Sequence, residues 1–485
     1  DLINNVIIMK TESATYYIAV DLGATSGRLI LASFDGEKIS TEELHRFKHP
    51  MLPIADHLFW NLPGLYHEIL TGLKTAAEKL NSLGAKARSI GIDTWGCDVA
   101  YFHADGTLAG LPYCYRDPHT TGAVDKFCED MSKETVYGKT GIQFMDFNTL
   151  FQLYTIGKDQ GNALHNSDKI LFIPDALAYM LTGEAVTEYT VASTSQILNP
   201  TTGRLDDELL ARIGLSEDRF GKLVNPGHRI GSLTPAVQQL TGLGEVPVIA
   251  VAGHDTASAV IGVPAKDANF AYLSCGTWSL LGIETPKPII NEKGFAYNFT
   301  NEGGLDGTIR YLKNICGMWI FERARTELKD APASVADLCA LYTESDIDST
   351  INPDDPSFAN PASMTQAICD YCERTGQKVP VTVADYVRLI FRSLALRYKE
   401  VLGWLRELSP KEINTLHVIG GGSLNAHLMQ LTANELQMPV VAGPTESTAL
   451  GNVLVQLRAD GRVSDLSEMR KVAINSTETK TYLPQ

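Results

Sequence analysis

The sequence predicts an α/β protein of two similar domains that face each other, each offering a turn to a shared cleft. Three observations carry this expectation. The stretch "YIAVDLGATSGRLILASF" at 17–34 runs apolar, turns on glycine and hydroxyl residues, and becomes apolar again. "NFAYLSCGTWSLLGIE" at 269–284 repeats that pattern far along the chain. Length is the third: 485 residues exceed the size at which one hydrophobic core keeps growing, and a 44% hydrophobic composition can fill two. Strand–glycine–strand hairpins are common in their own right, so the echo alone leaves duplication and coincidence both open.

In the first unit, Asp21 stands where the apolar run meets the turn. A hairpin explains the turn without any function. A sharper reading gives the turn's N–H groups and hydroxyls to phosphates and Asp21 to the metal that accompanies them. Beyond this unit strands and helices alternate. "SIGIDTWGCDVAYF" predicts strands around a turn, and "KILFIPDALAYMLTG" a strand or short apolar segment running into a helix that Gly183 ends. Gly and Pro punctuate 214–245 before the run "VPVIAVAGHDTASAVIGVP", where the domain boundary is placed. The expected division is 15–255 and 256–470, with 1–14 and 471–485 as terminal extensions.

In the second half, apolar residues at 383, 386, 387, 390, 391, 394, 398, 401, 402 and 405 define one face of a core helix. Thr382 and Asp385 begin it as a capping box. "TLHVIGGGSLNAHLMQLTANELQMPVVAG" then predicts strand, glycine-rich turn, helix and strand.

A net charge of −16 excludes the basic footprint that nucleic acid or an anionic membrane surface requires. An anionic ligand must therefore be held by local N–H groups, helix N-termini and a bound cation. Eight cysteines are too few for a disulfide framework, and Cys369 and Cys372 lack the second pair of a zinc site; they are expected to be reduced thiols. No run reaches membrane-spanning length, and "DLINNVIIMK" has neither the basic start nor the cleavage site of a leader, so a cytoplasmic protein is expected. The sequons at Asn298 and Asn475 are then chance matches.

Three glycine-containing turns follow apolar strands, at 23–27, 276–279 and 420–423. Glycine lets a phosphate or nucleoside approach backbone that a Cβ would shield. "YGKTG" at 137–141 is not a P-loop, because Lys133 occupies the place of its first glycine, and no G-x-G-x-x-G opens a helix. In "VIAVAGHDTASAV" a buried strand ends on Gly-His-Asp-Thr and a helix of small residues begins. Asp255 is there the obvious N-cap, needing no chemistry. It equally suits a catalytic base at the crevice end of a strand. In "GIDTWGCD", Asp93, Trp95 and Asp98 surround a further turn. The Trp is either core or the apolar wall of a polyhydroxylated ligand's site.

"AVDLGATSGR", "GIDTWGCD", "LPYCYRD", "TGIQFMDFNTLFQL", "GHDTASAV", "YLSCGTWSLLG", "NEGG" followed by "YLKNICG", "VIGGGSLN" and "AGPTESTALGN" run in this order from about residue 17 to 457. Together these segments resemble the FGGY family of carbohydrate kinases, on the duplicated ribonuclease-H-like fold of actin and hexokinase. The resemblance implies ATP and Mg²⁺. It implies transfer of the γ-phosphoryl group to the 1-hydroxyl of a ketose, first L-rhamnulose, with L-fuculose or xylulose as rivals. It implies a first phosphate turn at Ala24, Thr25, Ser26, Gly27 and Arg28, with Asp21 meeting Mg²⁺ through water. A second phosphate turn falls on Gly276 and Thr277, and the nucleoside motif on Gly420, Gly421 and Gly422 with Asn425. Gly96, His254, Asp255, Thr256 and Asn314 match sugar contacts, and Asp255 the catalytic base. Glu322 stands where relatives tend to carry Gln against the nucleotide. Cys275 replaces a common Ser and is expected to be tolerated, since that turn works through its backbone. The residues before Met9 have no family counterpart. The expected partners are the ketose and MgATP, in a monomer or a dimer. A sugar-sensing protein that keeps the fold without turnover is the other class, against which the carboxylate of "GHDT" speaks.

Overall fold

The computed structural model describes residues 13–485, so the extension expected before Met9 lies outside the described residues. Strand β1 (Thr15–Leu22) turns back antiparallel into β2 (Ser26–Phe34), and β3 (Ile39–Lys48) follows antiparallel. Tyr17 to Val20 are wholly buried, the continuous apolar run of a strand covered on both faces. Helix α1 (Leu62–Leu83), capped by Asn61 and ended by left-handed Gly84, crosses the sheet and delivers β4 (Ala87–Asp93) parallel to β1. With β5 (Arg229–Ser232) and β6 (Pro247–Ile249) the first sheet reads β5-β6-β4-β1-β2-β3.

After helix α2 (Asp255–Ile261) the pattern repeats. Strand β7 (Phe270–Cys275) pairs antiparallel with β8 (Trp278–Thr285), and β9 (Thr300–Gly303) and β10 (Ile309–Cys316) extend that edge. Helix α3 (Trp319–Glu327) and the long α4 (Val383–Leu408) precede β11 (Thr415–Ile419), which lies parallel to β7. Helix α5 (Ala426–Leu436), β12 (Val440–Ala442), α6 (Ser447–Ala459) and β13 (Lys480–Tyr482) complete a sheet ordered β9-β10-β8-β7-β11-β12-β13. Within it, β10-β8-β7-β11-β12 has the strand order and directions of β3-β2-β1-β4-β6 in the first sheet. The duplication expected from two hairpins thus extends to five strands. The segment expected as a C-terminal extension, 471–485, instead supplies β13, antiparallel to β12.

Local expectations are met where neighbours in sequence decide them. Helix α4 has the Thr382–Asp385 capping box, and Tyr386, Val387, Ile390, Phe391, Leu394, Tyr398, Val401, Leu402 and Leu405 are buried. "KILF" forms a strand, Lys169–Phe172, that enters the helix Ile173–Thr182, and Gly183 caps it in the left-handed region. That strand pairs with Val99–Phe102 outside both main sheets.

Helix α6, from the second half, packs on the first sheet. Gln456 donates to Ile18 O (3.0 Å) and accepts from the Ser89 hydroxyl (2.7 Å), while Asn452 donates to Gly91 O (3.2 Å). It crosses α2 so closely that a Cβ on Gly451 would lie 1.7 Å from Ser258 O.

Candidate active site

Three parallel strands of the first sheet end on carboxylates or lead to one. Register pairs Asp21 of β1 with Asp93 of β4, and the chain past β4 pairs Thr94 with His254, just beyond β6. Thr94 N donates to Gly253 O (2.9 Å), and Asp255 N to Thr94 O (2.8 Å). Asp21, Asp93 and Asp255 are thereby gathered at the carboxyl ends of neighbouring strands, where α/β sheets open their crevices.

Each carboxylate is held differently. Asp21 Oδ2 accepts from Arg28 Nη2 (2.7 Å) and Nε (3.0 Å), and Arg28 also pairs with Glu446. Asp93 is fully buried; its Oδ2 accepts from Asn452 Nδ2 (2.7 Å), whereas its buried Oδ1 has no hydrogen-bond partner. Burial, then the charge of Asp21, push the Asp93 carboxyl well above the usual range. Burial and the Asp21 charge likewise raise Asp255 to about 7, opposed by hydrogen bonds from Thr256 and by Arg310. Sequence reasoning weighed Asp93 only as a neighbour of Trp95; its place at a strand end, like that of Asp21, was the available signal.

The N-cap expectation for Asp255 is corrected. His254 is the N-cap, in extended backbone, and Asp255 is the first helical residue. Its Oδ1 accepts from Thr256 N (2.7 Å) rather than from an N–H deeper in the turn, and its side chain remains one third exposed. Glu188 anchors the segment from behind by accepting from Gly253 N (3.0 Å), and the Thr190 hydroxyl accepts from His254 N (3.3 Å).

Around this cluster the first turn keeps Gly23 N on Ser26 O (2.9 Å), with Thr25 exposed and Ala24 and Ser26 half-buried. At Gly27 a Cβ would meet the ends of the Leu22 and Phe47 side chains at 2.5 Å. Gly96 lies in the turn after Trp95, its Cα side facing Thr194 at 2.8 Å from an added Cβ. Trp95 is buried, packed 4.3 Å from Trp60 by ring centroids; both indoles donate to Asp98 Oδ2, at 3.1 and 2.5 Å. Burial raises Asp98 to about 6 against these donors.

A second group forms at the ends of β7 and β11. Gly276 and Thr277 are exposed in the hairpin turn, and Thr277 O accepts from Trp319 N (3.0 Å) at the start of α3. Glu322, in the first turn of α3, accepts from Arg325 Nε (2.7 Å). Gly420 has φ +86°, and Cβ atoms on Gly420 and Gly422 would meet Cys275 O at 2.9 Å and Cys275 Sγ at 2.2 Å. A Cβ on Gly421 would meet nothing within 4 Å. Asn425 caps α5 by accepting from Leu428 N (3.1 Å), and its buried Nδ2 lacks a partner. The groups approach one another through Glu446, which pairs with Arg28, and through Pro444, whose carbonyl accepts from Gly420 N (3.3 Å).

Asn314 lies on β10, donating to Gln143 Oε1 (2.8 Å). Earlier on the same strand, Arg310 makes a contact that sequence reasoning missed: 1% exposed, it reaches His254 Nδ1 at 3.0 Å and pairs with Glu302 at 3.0 Å. The signal was two opposite charges embedded in apolar strands.

Hard oxygen donors on adjoining strand ends, one of them orphaned and buried, suit a divalent cation. Among the described residues no group of three or more His, Cys, Asp or Glu is placed to chelate an ion directly. All eight cysteines are free, and no described helix is long and apolar enough to cross a membrane.

The model of the N-terminal domain of the FGGY family of carbohydrate kinases matches residues 16–262, and that of its C-terminal domain residues 271–459. The chain is 54% identical over 473 residues to a rhamnulokinase of Bacteroides thetaiotaomicron, covering 97% of this chain and 96% of the relative. A rhamnulokinase of Pectobacterium carotovorum is 43% identical over 96% of this chain and 93% of its own. In architecture, a gluconate kinase of Lactobacillus acidophilus superposes with a TM-score of 0.82 at 18% identity, covering 98% of this chain and 94% of that one.

Proposed function

Because the chain belongs to the FGGY family of carbohydrate kinases, we propose that it transfers the γ-phosphoryl group of ATP to the 1-hydroxyl of L-rhamnulose, releasing L-rhamnulose 1-phosphate and ADP in L-rhamnose catabolism. The sugar is chosen on the curated relatives, which are rhamnulokinases at 54% and 43% identity over nearly the whole chain. The observation that carries the chemistry is the Asp255 carboxyl, raised to about 7 beside two further carboxylates at the strand ends. A base poised near working pH can take a hydroxyl proton and release it again.

Phosphoryl transfer asks for placement and charge balance more than for covalent chemistry. Ala24, Thr25, Ser26, Gly27 and Arg28 hold one end of the triphosphate with N–H groups, hydroxyls and the guanidinium. Gly276 and Thr277 hold it from the second domain. Gly420, Gly421 and Gly422 offer bare backbone to the nucleoside, with Asn425 and Glu322 at its margin. Gly96, His254, Thr256 and Asn314 orient the sugar so that its 1-hydroxyl meets Asp255, which accepts the proton as the oxygen attacks phosphorus. Mg²⁺, met through water by Asp21 with the orphaned Asp93 oxygen behind it, would neutralise phosphate charge. The division 15–255 and 256–470 separates sugar-binding from nucleotide-binding parts.

A panel of ketoses with coupled ADP detection tests the reading. Rhamnulose-dependent ADP production at the highest kcat/KM is expected. No sugar-dependent ADP removes the kinase reading, and a preference for L-fuculose or xylulose removes the sugar assignment.

A further inference from the structure

We propose that Arg310 is a positioning residue for this reaction: from β10 it fixes the tautomer of His254, so that the imidazole turns an N–H donor toward Asp255. The proposal rests on the reading of Asp255 as base. Three contacts define the guanidinium, which is 1% exposed. Nε donates to Gly303 O (2.8 Å), Nη1 lies 3.0 Å from Glu302 Oε2, and Nη2 lies 3.0 Å from His254 Nδ1.

A guanidinium carries only donors and keeps its proton in proteins, so the ring nitrogen facing it must present a lone pair. His254 is then neutral with its hydrogen on Nε2, the nitrogen 3.4 Å from Asp255 Oδ1. Burial and the Arg310 charge act in the same direction, holding the imidazole well below its ordinary pKa.

The groups facing the ring are Arg310, Glu302 and Asp255. Glu302 Oε2, 3.6 Å from Nδ1, would favour the opposite tautomer with hydrogen on Nδ1. That tautomer would aim a lone pair at the carboxylate, setting two acceptors against each other and giving the sugar proton a second resting place. Arg310 excludes it. Because His254 follows β6 of the first sheet and Arg310 belongs to the second, the tautomer is set by the junction of the two halves.

Long-range ¹H–¹⁵N spectra of histidine-labelled free protein test this between about pH 6 and 8.5, the range about the ordinary histidine pKa. His254 is assigned by its loss in His254→Asn. An unprotonated Nδ1 and a protonated Nε2, unchanged across that range, are expected. Hydrogen on Nδ1, or a ring that gains a second proton, overturns the proposal. Arg310→Met, which removes every donor, should release the tautomer and lower kcat by about 10- to 100-fold with little change in the KM for ATP, and Arg310→Lys, whose ammonium also carries only donors, should recover both in part. An Arg310→Met variant that melts as the parent does and keeps both tautomer and kcat overturns it as well. If neither variant folds, the parent spectrum still decides. The spectra need neither ATP nor sugar, so their failure is separate from failure of the kinase reading, which the ADP assay decides.

Discussion

The hairpin turns at 22–26 and 275–278 occupy equivalent places in two sheets of the same strand order, yet they are built for different tasks. Aligned on Gly23 and Gly276, Asp21 of the first corresponds to Ser274 of the second. In the first sheet the strand ends gather Asp21, Asp93 and Asp255; in the second they present Cys275, Gly420 and Gly443. On the proposed reading, one copy of the topology concentrates charge where bonds are to change, and the other exposes backbone to the nucleotide. Duplication supplies the geometry, and single residues at strand ends set the two apart.

The sharpest way to break this comparison is at the charged end. Asp255→Asn should lower kcat by about 10²- to 10⁴-fold, the range for loss of a general base. For the parent, log(kcat/KM) should fall by one per pH unit below about 7, because the folded protein there holds the proton that the base must have released. The stability sign is opposite. A carboxyl raised on folding stabilises the protein while protonated, and that contribution is lost as pH rises from the usual carboxylate range through about 7. Asp255→Asn should therefore melt no lower than the parent and gain on it as pH rises from about 4 to about 7, read by differential scanning fluorimetry. Unchanged turnover would make the residue a helix-start feature only.

A smaller effect is expected from Asp21→Ser, which gives the first turn the residue of the second. Activity should fall by about 100-fold, and the Mg²⁺ concentration for half-maximal rate should rise, as a water-mediated contact is lost and Arg28 keeps Glu446 as its carboxylate partner. A Mg²⁺ titration at saturating sugar checks both. An unchanged titration would show that charge in this turn is structural.

The smallest effects belong to the glycine end, where neighbouring positions make opposite predictions. Gly422→Ala should destabilise by about 1–3 kcal/mol, since its methyl meets Cys275 Sγ, with partial recovery in a Gly422→Ala/Cys275→Ala double variant. Gly421→Ala should leave the melting temperature within about 1–2 °C, corresponding to a few tenths of a kcal/mol, and raise the KM for ATP by about 10-fold, because its methyl meets only what binds there. Equal behaviour of the two variants would dissolve the distinction between packed and ligand-facing glycines.

Much of the fold was legible. Both hairpins, the strand entering the helix that Gly183 ends, and α4 with its capping box follow from apolar spacing and from residues within one turn of each other. Less of the site was. The glycine turns after strands could be read, but the N-cap weighed for Asp255 belongs to His254, because Asp in that slot is the commoner cap and only the path of the chain past Thr94 puts His254 there. Arg310 and Glu302 stood in plain view as charges in apolar strands, without any local hint that His254 was their neighbour.

By itself the sequence determined the local elements and the inventory of chemistry: which strands end on carboxylates, which turns carry no side chain, where helices begin and stop. These depend on periodicity and on steric limits among near neighbours. Tertiary structure alone decided that Asp21, Asp93 and Asp255 share one edge, that α6 crosses to the first sheet, and that an arginine of one sheet reaches the histidine of the other. Strand order and register arise from burial summed over residues remote in sequence, a quantity no short stretch contains.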